Sequence, residues 1–293
     1  MGRFRLRGRR RRVRQQRPDR VPLRAIVPNL ITSVAACAGI TSIVLSSQGN
    51  FMKALVALLI ACICDGVDGR VARMLKASSK LGAELDSLAD FVNFGVAPAM
   101  FMFFWLTGKY CGGTPVVTEP WMVRLVLGCA LFYAMCDCFR LARFNTMLEQ
   151  PSLPYWKNFF TGVPAPGGCW MVLTPAVLSM AMGVNGEIPR WAEFFRSPCF
   201  GMFMLLFVGG LMASRIPTIS LKAVRISRRF LMPVMAVLLL LVALLVSNFW
   251  MTIGVAGALY ILTVPLSALA FVKIKMRYEA KEALTSDMDK GKI

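Results

Sequence analysis

The chain has 293 residues, of which 57% are hydrophobic and 17% charged, and its formal net charge is +19. Soluble globular proteins average about 45–50% apolar residues in short amphipathic segments, so this composition predicts a polytopic membrane protein. Histidine is absent, which excludes imidazole metal ligands, Ser-His triads and histidine bases, and leaves acid–base chemistry to carboxylates, Lys, Tyr or Cys.

The first element is a basic segment over 1–25. Residues 1–24 contain eleven arginines and one acid, Asp19, and account for ten of the nineteen net positive charges. A basic tail can bind nucleic acid, but beside a first hydrophobic span it more often holds the N-terminus in the cytoplasm and contacts anionic lipid. We therefore expect membrane lipid, and no nucleic acid, as its partner.

Eight apolar windows follow, each near the length of about 20 residues that crosses a bilayer core. They lie near 26–46, 52–75, 82–107, 121–142, 163–184, 198–214, 230–247 and 251–272. Backbone polar groups cannot stay unpaired in lipid, and these windows are too long and too uniformly apolar for barrel strands. The sequence thus predicts an all-α polytopic membrane protein, a helical bundle with about eight transmembrane helices.

Positive charges between the windows are distributed asymmetrically. With residue 1 inside, the inner loops hold Arg73, Lys76, Lys80, Arg140, Arg143, Lys157, Arg215, Lys222, Arg225, Arg228 and Arg229, and further cations follow the last window. The outer loops hold only Lys109, Arg190 and Arg196. By the positive-inside rule, this asymmetry predicts that both termini are cytoplasmic, including a polar tail over 277–293.

Acidic residues are concentrated where the second window ends and the third begins. Helical spacing places two sets of residues each on one face: Asp65, Asp68, Gly69, Ala72 and Arg73 on the second helix, and Gly82, Asp86 and Asp90 on the third. Gly82 permits close approach of two helices, so the four aspartates would converge in a polar cavity near the cytoplasmic surface.

Four carboxylates in a low-dielectric cavity repel one another unless cations are bound, so this pattern indicates a metal site. Purely oxygen ligands favour Mg²⁺ or Mn²⁺ over zinc or copper. Two such ions bridged by carboxylates are a common apparatus for displacement at phosphorus. The spacing alone also allows a divalent-cation transporter, or a structural ion-pair network with Arg70 and Arg73.

From Asp65 to Asp90 the sequence contains a two-part motif. It reads D-x-x-D-G-x-x-A-R, then eight intervening residues, then G-x-x-x-D-x-x-x-D. In all eight fixed positions it resembles the signature of the CDP-alcohol phosphatidyltransferases. The resemblance implies a membrane transferase of phospholipid biosynthesis, which moves the phosphatidyl group of CDP-diacylglycerol to an alcohol and releases CMP. It also implies two divalent cations on the four aspartates, with Asp90 acting as the base.

Other segments resemble the integral-membrane phosphatidylserine synthases of bacteria. These are VPNLIT (27–32), NFGVAPA (93–99), FRLARFN (139–145), GVPAPGG (162–168) and MASRIPTISLK (212–222). The resemblance implies L-serine as the acceptor, a catalytic membrane domain over 26–222, and an additional C-terminal transmembrane pair over 223–276. It further implies a homodimer in the bacterial inner membrane, with the active site facing the cytoplasm.

The nucleotide of the CDP-lipid would lie against the second helix. Gly69 and Ala72 are small enough to let it approach, Gly82 lies opposite, and the family places Arg73 near the nucleotide. Asn29 and Thr32 are further candidates for contact with the CDP-lipid, although an Asn–Thr pair at the start of a span is as often a helix cap.

Serine brings a carboxylate, so its pocket requires a cationic group. Arg140 and Arg143 are the first candidates, Arg215 and Lys222 the next, and each could instead anchor the protein at the membrane surface. Asp137 is expected to form a structural ion pair with these arginines. Choline, inositol phosphate or glycerol phosphate remain alternative acceptors.

Overall fold

The computed structural model describes residues 26–76, 79–108, 117, 119–147, 159–183, 194–214, 217–219 and 230–290. The basic segment over 1–25 and the candidates Arg215 and Lys222 lie outside these ranges.

The described residues form helices joined by short connections. The helices are α1 (Ile26–Ser47), α2 (Phe51–Met74), α3 (Lys80–Asp90), a π-helical turn (Phe91–Val96), α4 (Ala97–Thr107), α5 (Pro120–Met147), α6 (Ala165–Met182), α7 (Pro198–Ala213), α8 (Leu231–Ser247) and α9 (Phe249–Lys290). Two three-residue strands, β1 (Phe159–Thr161) and β2 (Pro217–Ile219), pair antiparallel. Every predicted apolar window contains a helix, and α9 continues past residue 276 without a break.

Five helical stretches of the described chain are long and apolar enough to cross a membrane: Ile26–Ser47, Lys80–Thr107, Pro120–Thr146, Ala165–Met182 and Phe249–Ser267. The apolar helices α7 and α8 are shorter. Helix α2 has 24 residues, but Lys53, Asp65, Asp68 and Arg70 interrupt its apolar sequence. The protein is thus an integral membrane protein with several apolar helices, as its composition predicts.

The all-α fold class is confirmed, and the short β1–β2 ribbon is an addition that was not predicted. Phe159 pairs with Ile219, Phe160 with Thr218 and Thr161 with Pro217. Strands of three residues are too short to produce a period-2 pattern that could be recognised in the sequence. The ribbon joins the segment before α6 to the segment after α7.

The helices pack in three main pairs. Helix α1 lies along α2 and also contacts α3 and α4, α5 packs against α7, and α6 packs against α9. The largest fully buried side chains of the described chain include Leu55, Trp105, Tyr133, Met171 and Leu205, contributed by different helices. By contrast, no residue of α8 is buried, as expected for an apolar helix that faces lipid on most sides.

The long third span is not a uniform α-helix. Residues 91–96 form a π-helical turn directly after Asp90, and such turns shift the hydrogen-bond register within an α-helix. The hydroxyl of Tyr133 on α5 donates to the carbonyl of Phe94 in this turn at 2.9 Å. Asn93 of the same turn is fully buried against Gly39 of α1. The turn therefore ties the segment after Asp90 to two neighbouring helices.

Candidate active site

Three of the four predicted aspartates converge between α2 and α3. Asp65, Asp68 and Asp86 each offer a carboxylate oxygen, and these three oxygens lie within 4.8 Å of one another. Asp68 is buried, and the other two are half-buried. Carboxylate oxygens this close fit a hard divalent cation such as Mg²⁺ or Mn²⁺, which takes oxygen ligands and relieves the repulsion. The donor set therefore fits the divalent metal that the motif implies.

Asp68 is held by two donors that reduce the cost of burying its charge. The Thr32 hydroxyl on α1 donates to Oδ2 of Asp68 at 2.6 Å, and the backbone N–H of Gly69 donates to Oδ1. Thr32 is itself buried. Thr32 was expected to contact the nucleotide. In the structure its hydroxyl orients a carboxylate of the acidic cluster, a role typical of groups that surround metal ligands.

The start of α3 lies close to α1. Ser79 caps α3, and its Oγ accepts the N–H of Gly82 at 2.9 Å. A Cβ on Gly82 would lie 2.8 Å from Oδ1 of Asn29 and 3.0 Å from Oγ of Ser79. A larger residue at 82 would thus have to displace the Asn29 side chain. The sequence predicted a close approach of the second and third helices at Gly82, whereas in the structure Gly82 makes its close approach to α1.

A cavity of about 190 Å³ opens beside the carboxylates. It is lined by all six residues predicted to contact the CDP-lipid, Asn29, Thr32, Gly69, Ala72, Arg73 and Gly82, and by Asp68 and Asp86. Pro28, Ser79 and Ala83 complete the lining. A Cβ on Gly69 would meet no atom within 4 Å, so this face of α2 is open to a ligand.

Asp90, the predicted base, does not line this cavity. Its carboxyl group is within hydrogen-bonding distance of Asp65, but it does not belong to the group of three oxygens that lie within 4.8 Å. Oδ1 of Asp90 is buried and has no hydrogen-bond partner among the described residues. An orphaned buried carboxylate oxygen is costly unless a ligand or a proton completes it, so Asp90 is suited to act on a bound substrate.

Asp137 and Arg140 form an ion pair on α5. Asp137 is fully buried, and its Oδ1 is 3.8 Å from NH1 of Arg140, which confirms the ion pair expected for these two residues. Both are close enough to Asp90 to interact with it electrostatically. At 3.8 Å the pair is too long for a hydrogen bond. Arg140 thus lies within electrostatic range of the predicted base, and its contact with an acceptor stays a prediction.

Arg143 is engaged elsewhere. Its guanidinium donates to the carbonyl oxygens of Ala213 at 2.8 Å, Ser214 at 3.0 Å and Met212 at 3.4 Å. These are carbonyls at the end of α7 that have no partner within the helix, and a cation there also opposes the negative end of the helix dipole. Gly162 has a positive φ of 81°. A Cβ added to it would lie 3.2 Å from NH2 of Arg143. The structure gives Arg143 this supporting role, and its contact with an acceptor stays a prediction.

The structure also bears on the alternative of an ion-pair network between the aspartates and nearby arginines. In the ranges that the structure describes, no ion pair joins Arg70 or Arg73 to the aspartates, so the alternative of a structural ion-pair network is wrong there.

Ser79, Asn93 and Tyr260 lie around the site but were not predicted. Ser79 could have been recognised as a serine preceding a helix start, whereas Asn93 and Tyr260 carry no local signal.

Replacing Thr32 by valine tests the support of Asp68. We expect the variant to bind divalent cation about tenfold more weakly, because the hydroxyl that orients Asp68 is lost while the volume is kept. Ser33→Ala is the matched control, since the Ser33 hydroxyl donates only within α1, to the carbonyl of Asn29. Mn²⁺ binding to purified protein measures both, and equal affinities for Thr32→Val and wild type would contradict the role given to Thr32.

Replacing Arg143 by lysine tests the support of α7. Lysine keeps the charge but cannot bridge three carbonyls, so we expect the unfolding free energy to fall by about 1–3 kcal/mol. Arg124→Lys on the same helix, at an exposed position, should leave thermal stability unchanged. Thermal unfolding in detergent gives the comparison, and an Arg143→Lys melting temperature equal to that of Arg124→Lys would remove the capping role.

Comparison with known proteins agrees with this geometry. Residues 25–195 match the model of the CDP-alcohol phosphatidyltransferase family. The CDP-diacylglycerol–serine O-phosphatidyltransferase of Mycobacterium leprae is 33% identical over 246 residues, which cover 82% of this chain and 73% of the relative. The enzyme of the same name from Bacillus subtilis is 35% identical over 164 residues, 55% of this chain and 82% of the relative. The matched residues include the whole cluster of aspartates, and the chain belongs to the CDP-alcohol phosphatidyltransferase family.

Proposed function

We propose that this protein transfers the phosphatidyl group of CDP-diacylglycerol to the hydroxyl of L-serine, giving phosphatidylserine and CMP. The observation that carries the proposal is the convergence of Asp65, Asp68 and Asp86 beside a cavity whose lining includes Gly69, Ala72, Arg73 and Gly82 of the motif. Family membership supports the CDP-lipid as the donor. Serine is supported by the names of relatives such as that of Mycobacterium leprae.

Asp65, Asp68 and Asp86, with Asp90 beside them, would hold two divalent cations, Mg²⁺ or Mn²⁺. Bound there, the cations supply charge neutralisation for the pyrophosphate and stabilise the departing phosphate. The nucleotide would occupy the cavity between α1, α2 and α3, where Gly69 leaves open space. Arg73 is exposed at the rim and would bind a phosphate or the nucleotide.

Asp90 would act as the base. Its buried Oδ1 has no hydrogen-bond partner among the described residues, so it is free to accept the proton of a serine hydroxyl. The serine oxygen forms a bond to the phosphorus that carries the diacylglycerol, and the bond from that phosphorus to the bridging oxygen breaks. The proton passes to Asp90, and CMP leaves with the bridging oxygen.

Arg140 would bind the serine carboxylate, because it lies within electrostatic range of Asp90 and Asp90 must reach the serine hydroxyl. Arg143 would contribute chiefly by supporting the end of α7. Arg215 and Lys222 stay candidates for the acceptor pocket from the sequence alone.

The site would face the cytoplasm of a bacterial inner membrane. The aspartates lie in the last three turns of α2 and in α3, the same ends that carry Arg73, Lys76 and Lys80. Positive residues favour the cytoplasmic side, so the site would open to the cytoplasm. This orientation agrees with the prediction that both termini lie inside.

Release of CMP tests the function directly. Purified protein in detergent is given CDP-diacylglycerol, Mg²⁺ or Mn²⁺, and one of L-serine, glycerol 3-phosphate, inositol phosphate or choline. We expect metal-dependent release of CMP with serine only. Release with another acceptor would keep the transferase and overturn serine, whereas divalent-cation flux into sealed vesicles without CDP-lipid would favour a transporter.

Asp90→Asn tests the base. We expect CMP release to fall by at least about 100-fold, because the amide cannot accept the hydroxyl proton, while binding of CDP-diacylglycerol is largely retained. Glu84→Gln is the matched control, since Glu84 lies on the same helix but is exposed, and it should keep full activity. An Asp90→Asn variant with wild-type turnover would assign the base to another group.

A further inference from the structure

The C-terminal helix α9 packs on α6 through small residues. A Cβ on Gly254 would lie 2.7 Å from Cδ2 of Leu178, and one on Gly257 would clash with the Thr174 hydroxyl. Tyr260 follows at the next interval of three residues. The two glycines thus let α9 lie directly against α6, and this close packing brings Tyr260 to the start of α6.

Tyr260 lies over the first turn of α6. A Cβ on Gly167 would be 2.8 Å from the Tyr260 hydroxyl oxygen and 2.9 Å from its Cε1. The first turn of a helix presents N–H groups without a partner in the helix, and it favours negative charge. Tyr260 is also close enough to Arg140 to interact with it electrostatically. The Tyr260 hydroxyl therefore lies at the start of α6 and within electrostatic range of the Arg140 guanidinium.

The Asp137–Arg140 pair beside them has unused hydrogen-bonding groups. Both carboxylate oxygens of Asp137, and Nε and NH1 of Arg140, are buried without a hydrogen-bond partner within the described part of the chain. Asp137 is fully buried, whereas the Arg140 side chain keeps 13% of its surface exposed. Buried charges in this state are costly unless a polar ligand or water completes them, so the pair points to a bound polar group.

We propose that Tyr260 on α9 and the Asp137–Arg140 pair on α5 form the subsite that selects a zwitterionic acceptor. Arg140 and the Tyr260 hydroxyl bind the carboxylate of the amino acid, and Asp137 binds its ammonium group. This inference rests on the proposed transfer to serine and extends it, because it assigns a substrate contact to the C-terminal helix, which lies outside the part of the chain that the family model matches.

The charges of the subsite explain the choice between acceptors. A zwitterion laid antiparallel to the Asp137–Arg140 pair gives each buried charge an opposite partner. A phosphorylated alcohol would place two negative charges beside Asp137 and Asp90, and choline has neither N–H groups for Asp137 nor a carboxylate for Arg140. The pair beside Asp90 also holds the acceptor hydroxyl near the proposed base.

Acceptor kinetics of Tyr260→Phe test the inference. We expect the KM for L-serine to rise about tenfold, since one hydrogen bond to a charged group is lost, with the KM for CDP-diacylglycerol unchanged. Thr263→Val is the matched control, because the Thr263 hydroxyl is exposed and donates only to the backbone of α9, at the carbonyl of Tyr260. Gly167→Ala, which crowds the Tyr260 hydroxyl, should reproduce the selective rise.

Two serine analogues separate binding from general damage. 3-Hydroxypropionate lacks the ammonium group and ethanolamine lacks the carboxylate, and each is used as a competitor of serine in the CMP assay. Tyr260→Phe should weaken inhibition by 3-hydroxypropionate about tenfold and leave ethanolamine unchanged. Asp137→Asn should do the reverse, weakening ethanolamine alone.

The outcomes distinguish the two levels of the proposal. If the wild-type protein depends on serine but Tyr260→Phe keeps the wild-type KM for serine, the subsite is overturned and the proposed function is left intact. Equal weakening of both analogues in Tyr260→Phe would also overturn it, because that is the effect of structural damage. Wild-type protein that uses another acceptor would overturn the proposed function and the subsite together.

Discussion

The repulsion between carboxylates inside an apolar helical bundle is the constraint on which the rest of the structure depends. Asp65, Asp68 and Asp86 present oxygens within 4.8 Å of one another, where charges of one sign interact strongly because the surroundings screen them poorly. The chain meets part of the cost with the Thr32 hydroxyl and the N–H of Gly69 on Asp68. A bound divalent cation would offset the remaining repulsion between the carboxylates. The same cluster therefore disfavours folding without a cation and forms the basis of the site.

Glycine lets polar groups approach the helices that hold the site. At Gly82, Gly95 and Gly167 the nearest atom to a Cβ would be a side-chain oxygen at 2.8 Å, from Asn29, Asp137 and Tyr260 respectively. Each contact joins elements from different parts of the chain. Together they bring the cavity, the ion pair and the C-terminal helix to within reach of one another, because a helix without a Cβ at the contact can come closer to its neighbour.

Asp90 lies where these parts meet. Its carboxyl group is within hydrogen-bonding distance of Asp65 of the acidic cluster, and it lies within electrostatic range of Asp137 and Arg140 of α5. The π-helical turn that follows it is held by Tyr133 through the Phe94 carbonyl. If Asp90 is the base, as proposed, this position would let it act on an acceptor bound next to the metal-binding cluster.

The apolar helices and the acidic motif could be recognised from the sequence, because helical periodicity and a motif of eight fixed positions are local properties of the chain. The family resemblance added six CDP-lipid candidates that prove to be among the residues lining the cavity, and the spacing of three residues on one helix predicted the Asp137–Arg140 pair. Tertiary packing was needed to show that Thr32 bonds Asp68, that Arg143 caps α7 and that Tyr260 reaches Gly167. Those contacts join residues 36 to 93 positions apart, and they exist only once packing has brought the helices together.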